Sequence, residues 1–105
     1  MTAALIVHPL AGDEIDRVRS WYEEIQFGLG AEFVRCLAEC FERIRRNPMM
    51  YVEVGGGLHR AILRRFPYHV IYSVDGDRIW VLAFFHDHTD PRKIKTQLLT
   101  RNPIQ

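Results

Sequence analysis

The sequence predicts an α+β fold: an antiparallel-rich four-stranded sheet packed on an N-terminal helix hairpin, order βααβββ, with a short C-terminal helix as one option for the tail. Three observations predict it. Apolar residues recur at helical spacing from Ile15 to Ile44, interrupted only around Gly28 and Gly30. Three short runs rich in β-branched and aromatic residues follow, roughly Leu58 to Phe66, Tyr68 to Val74 and Arg78 to His86. A fourth run, Ala4 to His8, precedes the helices and ends at Pro9.

That first run reads as a strand handing over to a helix with proline in its first turn. Ile15, Val18, Tyr22 and Ile25, with Trp21 beside them, make one amphipathic face, and Asp13, Glu14 and Asp16 fall near the N-terminal end, where the helix dipole favours acids. After Gly28 and Gly30 the pattern resumes through Phe33, Leu37, Cys40, Phe41 and Ile44 until Asn47-Pro48 stops it. So short a link predicts an antiparallel hairpin. Met49 to Gly57, with three consecutive glycines, reads as a mobile loop.

The whole chain, 105 residues, reads as a single domain in which residues 90–105 form a basic tail around Ile94, Leu98 and Leu99. Nearly half the residues are apolar and 11% are aromatic, a globular composition. No apolar run approaches the roughly eighteen residues of a membrane span, and Met1 to Val7 is too short for a signal peptide, so a cytoplasmic protein is expected. Cys36 and Cys40, four apart on a helix, suit small core residues in a reducing compartment better than a disulfide. Charge is uneven. Nine acidic and six basic residues precede Leu58, whereas four acidic and eight basic ones follow from it, which makes the sheet half cationic.

A two-residue turn at Asp75-Gly76 or Gly76-Asp77 places Tyr68, Val70 and Tyr72 on one face with Ile79, Val81, Ala83 and Phe85. His69, Ile71 and Ser73 then share the other face with Trp80, Leu82, Phe84 and His86. If Phe66-Pro67 makes a similar two-residue connection, Arg60, Ile62 and Arg64 join the His69 face. Both faces of the last strand are apolar, and one helix hairpin covers only one of them. The tail, a second copy or a partner must cover the other.

The order of Trp21-Tyr22, Gly28-Leu-Gly-Ala-Glu-Phe33, Asn47-Pro48, Arg65-Phe-Pro-Tyr68 with Val70-Ile-Tyr72, and His86 ahead of Asp90-Pro91 resembles the RelE/ParE toxins of type II toxin–antitoxin modules, from about Leu5 to Arg92. The resemblance implies a βααβββ toxin that inhibits growth, serves plasmid stabilisation and is neutralised by an extended segment of a cognate antitoxin. It also implies either poisoning of DNA gyrase, as in ParE-like members, or cleavage of mRNA on the ribosome, as in RelE-like members. A homodimer and a toxin–antitoxin hetero-oligomer are both open. No cofactor and no metal is implied.

Cutting RNA without a metal needs an arginine cluster, a general base and a general acid. His69, His86 and Arg64 are the candidate catalytic set for that reading. His69, however, stands where ribonuclease members often carry an arginine, and Asp87 stands where a tyrosine would follow. Phe66-Pro67-Tyr68 and the ending from His86 to Pro91 look more like the ParE side. For target or antitoxin binding the candidates are Arg60, Arg64, Arg65, Trp80, Phe84 and Arg92.

Plainer readings stand beside these. Strand arginines commonly protect a solvated edge, and Tyr68 and Tyr72 read better as core aromatics than as acids. Trp80 and Phe84 could stack on nucleobases, although their alternation with Leu82 fits packing against protein. His8 and His59 read as incidental. His86 and His88, with Asp90, have a metal-like spacing, but Pro91 suggests that the strand has already ended. A non-toxic interaction module of the same fold is the third reading.

Overall fold

The computed structural model describes residues 3–101; the last four residues of the basic tail lie outside them. The chain runs β1 (Ala4–Val7), α1 (Pro9–Ile25), α2 (Leu29–Arg46), β2 (Glu53–Gly55), β3 (Leu58–Ile62), β4 (Tyr68–Asp75), β5 (Arg78–His86) and α3 (Pro91–Leu99). The α+β class is as predicted, but the sheet has five strands in the order β1-β5-β4-β3-β2 and is mixed. β1 runs parallel to β5, from which the helix hairpin and strands β2 to β4 separate it along the chain. The extra strand, β2, comes from the segment expected to be a loop. Gly55, Gly56 and Gly57 all adopt positive φ, a conformation that costs glycine little, and so reverse the chain tightly enough for Glu53 to pair with His59.

His8 begins α1: its Nδ1 accepts a hydrogen bond from the Leu10 amide, and Pro9 supplies the preset φ of a first turn. No acidic residue occupies that turn; Asp13, Glu14 and Asp16 lie beyond it. The start of α2 is capped across the hairpin. The Glu23 carboxylate accepts from the Gly28 amide at 3.0 Å and from the Gly30 amide at 3.0 Å. Gly30 is required by proximity, since a Cβ there would meet the Arg19 carbonyl oxygen at 2.9 Å. The break seen in the sequence is therefore the tight seam of the hairpin.

Phe33, Leu37, Cys40 and Ile44 pack from α2 onto Val70, Tyr72, Ile79, Val81 and Phe84 of the sheet. Burial pushes the Cys40 thiol up, as expected for a core cysteine, and Cys36 is half-buried and also unbridged. Tyr72 is fully buried, with its pKa pushed up to about 12 mainly by burial, and its hydroxyl donates to the Pro48 carbonyl at 2.6 Å. Both tyrosines of β4 are core aromatics.

The β4–β5 turn is the two-residue Gly76-Asp77, flanked by the pair Asp75 and Arg78. Near it the faces fall as predicted: Tyr72 opposes Val81, and Val74 opposes Ile79. The register then shifts. Ile71 opposes Ala83, so Leu82 is an extra residue in β5, and beyond this bulge every side chain of β5 changes face relative to the prediction. His69 now opposes Phe85, while Tyr68 opposes His86. The bulge separates His69 from His86, which the sequence reading had placed together.

Candidate functional site: a groove on the second face

α3 covers part of the face away from the hairpin, where Ile94 and Leu98 pack on Ile71, Ala83 and Phe85. The rest is a groove of about 770 Å³ between α3 and the β2–β3 turn. Leu58 and Arg60 from β3 and His69, Ile71 and Ser73 from β4 line it; Lys95 and Leu99 stand on the α3 side. The β3–β4 connection is Leu63–Pro67, longer than expected, with the Leu63 amide donating to the Tyr68 carbonyl at 2.9 Å. Arg60 opposes Ile71 and Ile62 opposes His69, so these two do share the His69 face. Arg64 lies past the end of β3 and does not.

His69 is buried and its Nδ1 lies 3.3 Å from a carboxylate oxygen of Asp87. Burial holds its pKa below the ordinary range, outweighing the opposite pull of Asp87, so the imidazole is neutral near pH 7. Ser73 Oγ is buried in the groove lining with no hydrogen-bond partner among the described residues. An apolar floor, two cations at the margin and a neutral histidine suit the binding of an apolar segment with acidic side chains.

The other candidates are dispersed. Arg65 adopts φ 73°, reaches Glu32 on α2 at 3.5 Å and lies over the Phe66 ring. Arg92 is exposed and turns back onto Asp90 at 3.0 Å. Trp80, half-buried, shares a face with Ser73 and Ile6 but does not line the groove. Phe84 cannot be a surface contact: it is 3% exposed and stacked on Tyr68, with ring centroids 5.0 Å apart, because the bulge turns it into the helix-side core. His86 lines a separate cavity against α1. His59, set aside in the sequence, is buried and stacked on Tyr72, with its Nδ1 2.9 Å from the Tyr51 carbonyl oxygen.

Sequence reasoning missed Asp87 as the partner of His69, Lys95 and the β2–β3 turn as walls, and Arg101. The Arg101 guanidinium is buried against the Glu14 carboxylate at 2.8 and 3.1 Å and also donates to the Leu82 carbonyl at 3.3 Å. Glu14 in turn accepts from the Phe84 amide at 3.3 Å. This pair ties the end of α3 to α1 and to the bulge. No local signal announces a pairing between residues 87 positions apart.

The family described as ParE toxin of type II toxin-antitoxin system, parDE, matches residues 5–91. The chain belongs to the ParE toxin family. Among solved structures, a chain of the chromosomal ParDE TA system from P. aeruginosa aligns with a TM-score of 0.68 and 17% identity, covering 81% of this chain and 96% of that one. A mutant of the E. coli toxin RelE in the free state aligns with a TM-score of 0.64 and 12% identity, covering 96% and 98%. At these identities the likeness is one of fold. None of the curated proteins matches the chain in sequence. No helix among the described residues of this ParE-family toxin is long and apolar enough to cross a membrane.

Proposed function

We propose that this ParE-family chain inhibits growth in the cytoplasm by binding a macromolecular target, with DNA gyrase the target its family favours, and that a cognate antitoxin neutralises it. The observation that carries this reading is the Leu82 bulge. By setting His69 and His86 on opposite faces, it leaves His69 with Asp87 in one groove and Arg64 outside it. Metal-free RNA cleavage needs acid, base and charge stabilisation around one phosphate, so their dispersal supports binding over cleavage. The antitoxin segment is proposed to lie in the groove, with apolar side chains on Ile71 and Leu58 and carboxylates toward Arg60 and Lys95.

The test is to induce the chain alone in bacteria while mapping mRNA 5′ ends and DNA breaks at gyrase sites. DNA breaks with intact mRNA are expected. New mRNA ends at ribosomal positions that vanish in His69→Ala or His86→Ala would replace this reading with the ribonuclease one. Growth with neither lesion would leave an interaction module.

A further inference from the structure

A second cavity, of about 260 Å³, lies at the opposite edge of β5 and has no part in the reading above. α1 contributes Glu14 and Arg17, β5 contributes His86, and Thr89, Lys93 and Gln97 close it. Its volume falls just under the range of about 300–1,000 Å³ that suits drug-sized ligands. A single small charged group fits that size.

The charge of the lining is positive once the internal pairings are removed. Glu14 is neutralised, because both of its carboxylate oxygens face the Arg101 guanidinium and one also accepts the Phe84 amide. The nearby Asp90 is engaged with Arg92, and Asp87 lies beside His69 in the lining of the other groove and not of this cavity. Arg17 and Lys93, by contrast, have no ion-pair partner among the described residues. Two unspent cations therefore border the same cavity.

The neutral donors point to the same ligand chemistry. The His88 amide donates to His86 Nδ1 at 3.1 Å. Nδ1 is thereby the acceptor, which leaves the proton of the neutral ring on Nε2 as a donor. Gln97 accepts from Arg101 through its carbonyl oxygen at 3.3 Å, which leaves its amide NH₂ to donate. With the hydroxyl of Thr89, the lining offers donors in excess of acceptors, as an oxyanion requires.

We propose that this cavity binds a single phosphate group, held by Arg17 and Lys93 with His86 Nε2–H as a further donor. Arginine supplies a planar fork and lysine a point charge from opposite walls, α1 and α3, and the β5 edge forms the back. The phosphate comes either as the free ion or as the monoester of a nucleotide.

The test titrates inorganic phosphate, AMP and adenosine into the full chain, followed by NMR of the His86 ring and of the Thr89 and Gln97 amides. Saturable shifts are expected with phosphate and with AMP and none with adenosine. R17Q and K93Q should each weaken binding by up to about fivefold, the scale of one exposed ion pair. R78Q, at the distant β4–β5 turn, should leave it unchanged. Both Arg17 and Lys93 are exposed, so the variants should keep the parent spectrum elsewhere. Equal affinity for phosphate and AMP would assign the site to the free ion, and tighter AMP to a nucleotide. Absence of saturable shifts, unchanged affinity in R17Q/K93Q, or adenosine shifting the same signals would overturn the proposal.

Discussion

The two faces of the sheet share their strands but not their use. On the helix side Phe33 touches four aromatic rings, those of Tyr22, Phe66, Tyr68 and Phe84, with centroids 5.5 to 6.1 Å away, and every sheet residue beneath it is buried. On the α3 side the buried apolar cluster among the described residues is the smaller set Ile71, Ala83 and Phe85, and half-buried residues fringe a groove with Arg60 and His69 in its lining. One face carries the stability of a small chain, which leaves the other free to present an unfilled surface. The difference is a matter of which α-helix covers which residues, since strand alternation supplies apolar side chains to both.

The largest effect should therefore come from the helix side. Phe33→Ala is expected to cost about 3–5 kcal/mol, a large share of the roughly 5–15 kcal/mol that holds an ordinary domain together. Leu99→Ala on the groove margin, 71% exposed, should stay within about 0.5 kcal/mol. Urea denaturation of both variants measures the contrast. Equal losses would mean that α3 is as much part of the core as α2.

Next in size is the tie between the faces. Glu14→Ala leaves the buried guanidinium of Arg101 without its carboxylate, a loss of about 1–3 kcal/mol. α3 can escape part of that cost by undocking, which would carry Arg101 back to water. Hydrogen exchange should then accelerate in α3 and at the Phe84 amide, with Val70 and Tyr72 unaffected. Acceleration across β4 as well would show that the two faces unfold as one unit.

How far these contrasts were legible depended on the range of the forces involved. The helix hairpin, its seam at Gly28 and Gly30, and the β4–β5 turn were readable because periodicity and glycine positions are local. The bulge was not. Val81-Leu82-Ala83 is uniformly apolar and offers no turn residue, and what accompanies the extra residue is distant: the Leu82 carbonyl is held by Arg101. That one unread residue moved Phe84 into the core and parted His69 from His86. β2 was missed because Glu53-Val54-Gly55 has no strand pattern of its own and pairs only through the reversal that three glycines allow. In the site, Arg60 and His69 were recovered from strand parity, whereas Lys95 required the position of α3.

A smaller effect should follow pH. The His69 pKa is lower in the folded chain than the unperturbed value of about 6.5. The unfolded chain then binds the proton more readily, so the folded state loses stability as pH falls below that unfolded value toward the folded one; above it the full contribution is present. Urea midpoints at pH 7.5 and 5.5 should drop for the parent and drop less for His69→Gln. Asp87→Asn removes the group that favours the charged imidazole and should push the His69 pKa lower still, which NMR titration of the ring measures. A rise in the His69 pKa on that change would mean that the ring is not desolvated as the fold implies.

The smallest expected change in stability tests the second face most directly. Arg60 is exposed in the middle of β3, opposite Ile71, and makes no ion pair among the described residues. Arg60→Ala should leave the urea midpoint within the about 0.5 kcal/mol typical of surface changes. Its effect belongs to the partner. A groove-margin ion pair with an acidic antitoxin side chain is worth about 0.2–1 kcal/mol and weakens as salt screens it. Affinity for a cognate antitoxin peptide should fall up to about fivefold at low salt and hardly at all at high salt. Arg65→Ala, whose side chain faces Glu32 on the helix side, provides the control: no change in peptide affinity is expected at either salt concentration. If Arg65→Ala weakened the peptide and Arg60→Ala did not, the binding surface would lie on the helix side, and the open groove would need another occupant.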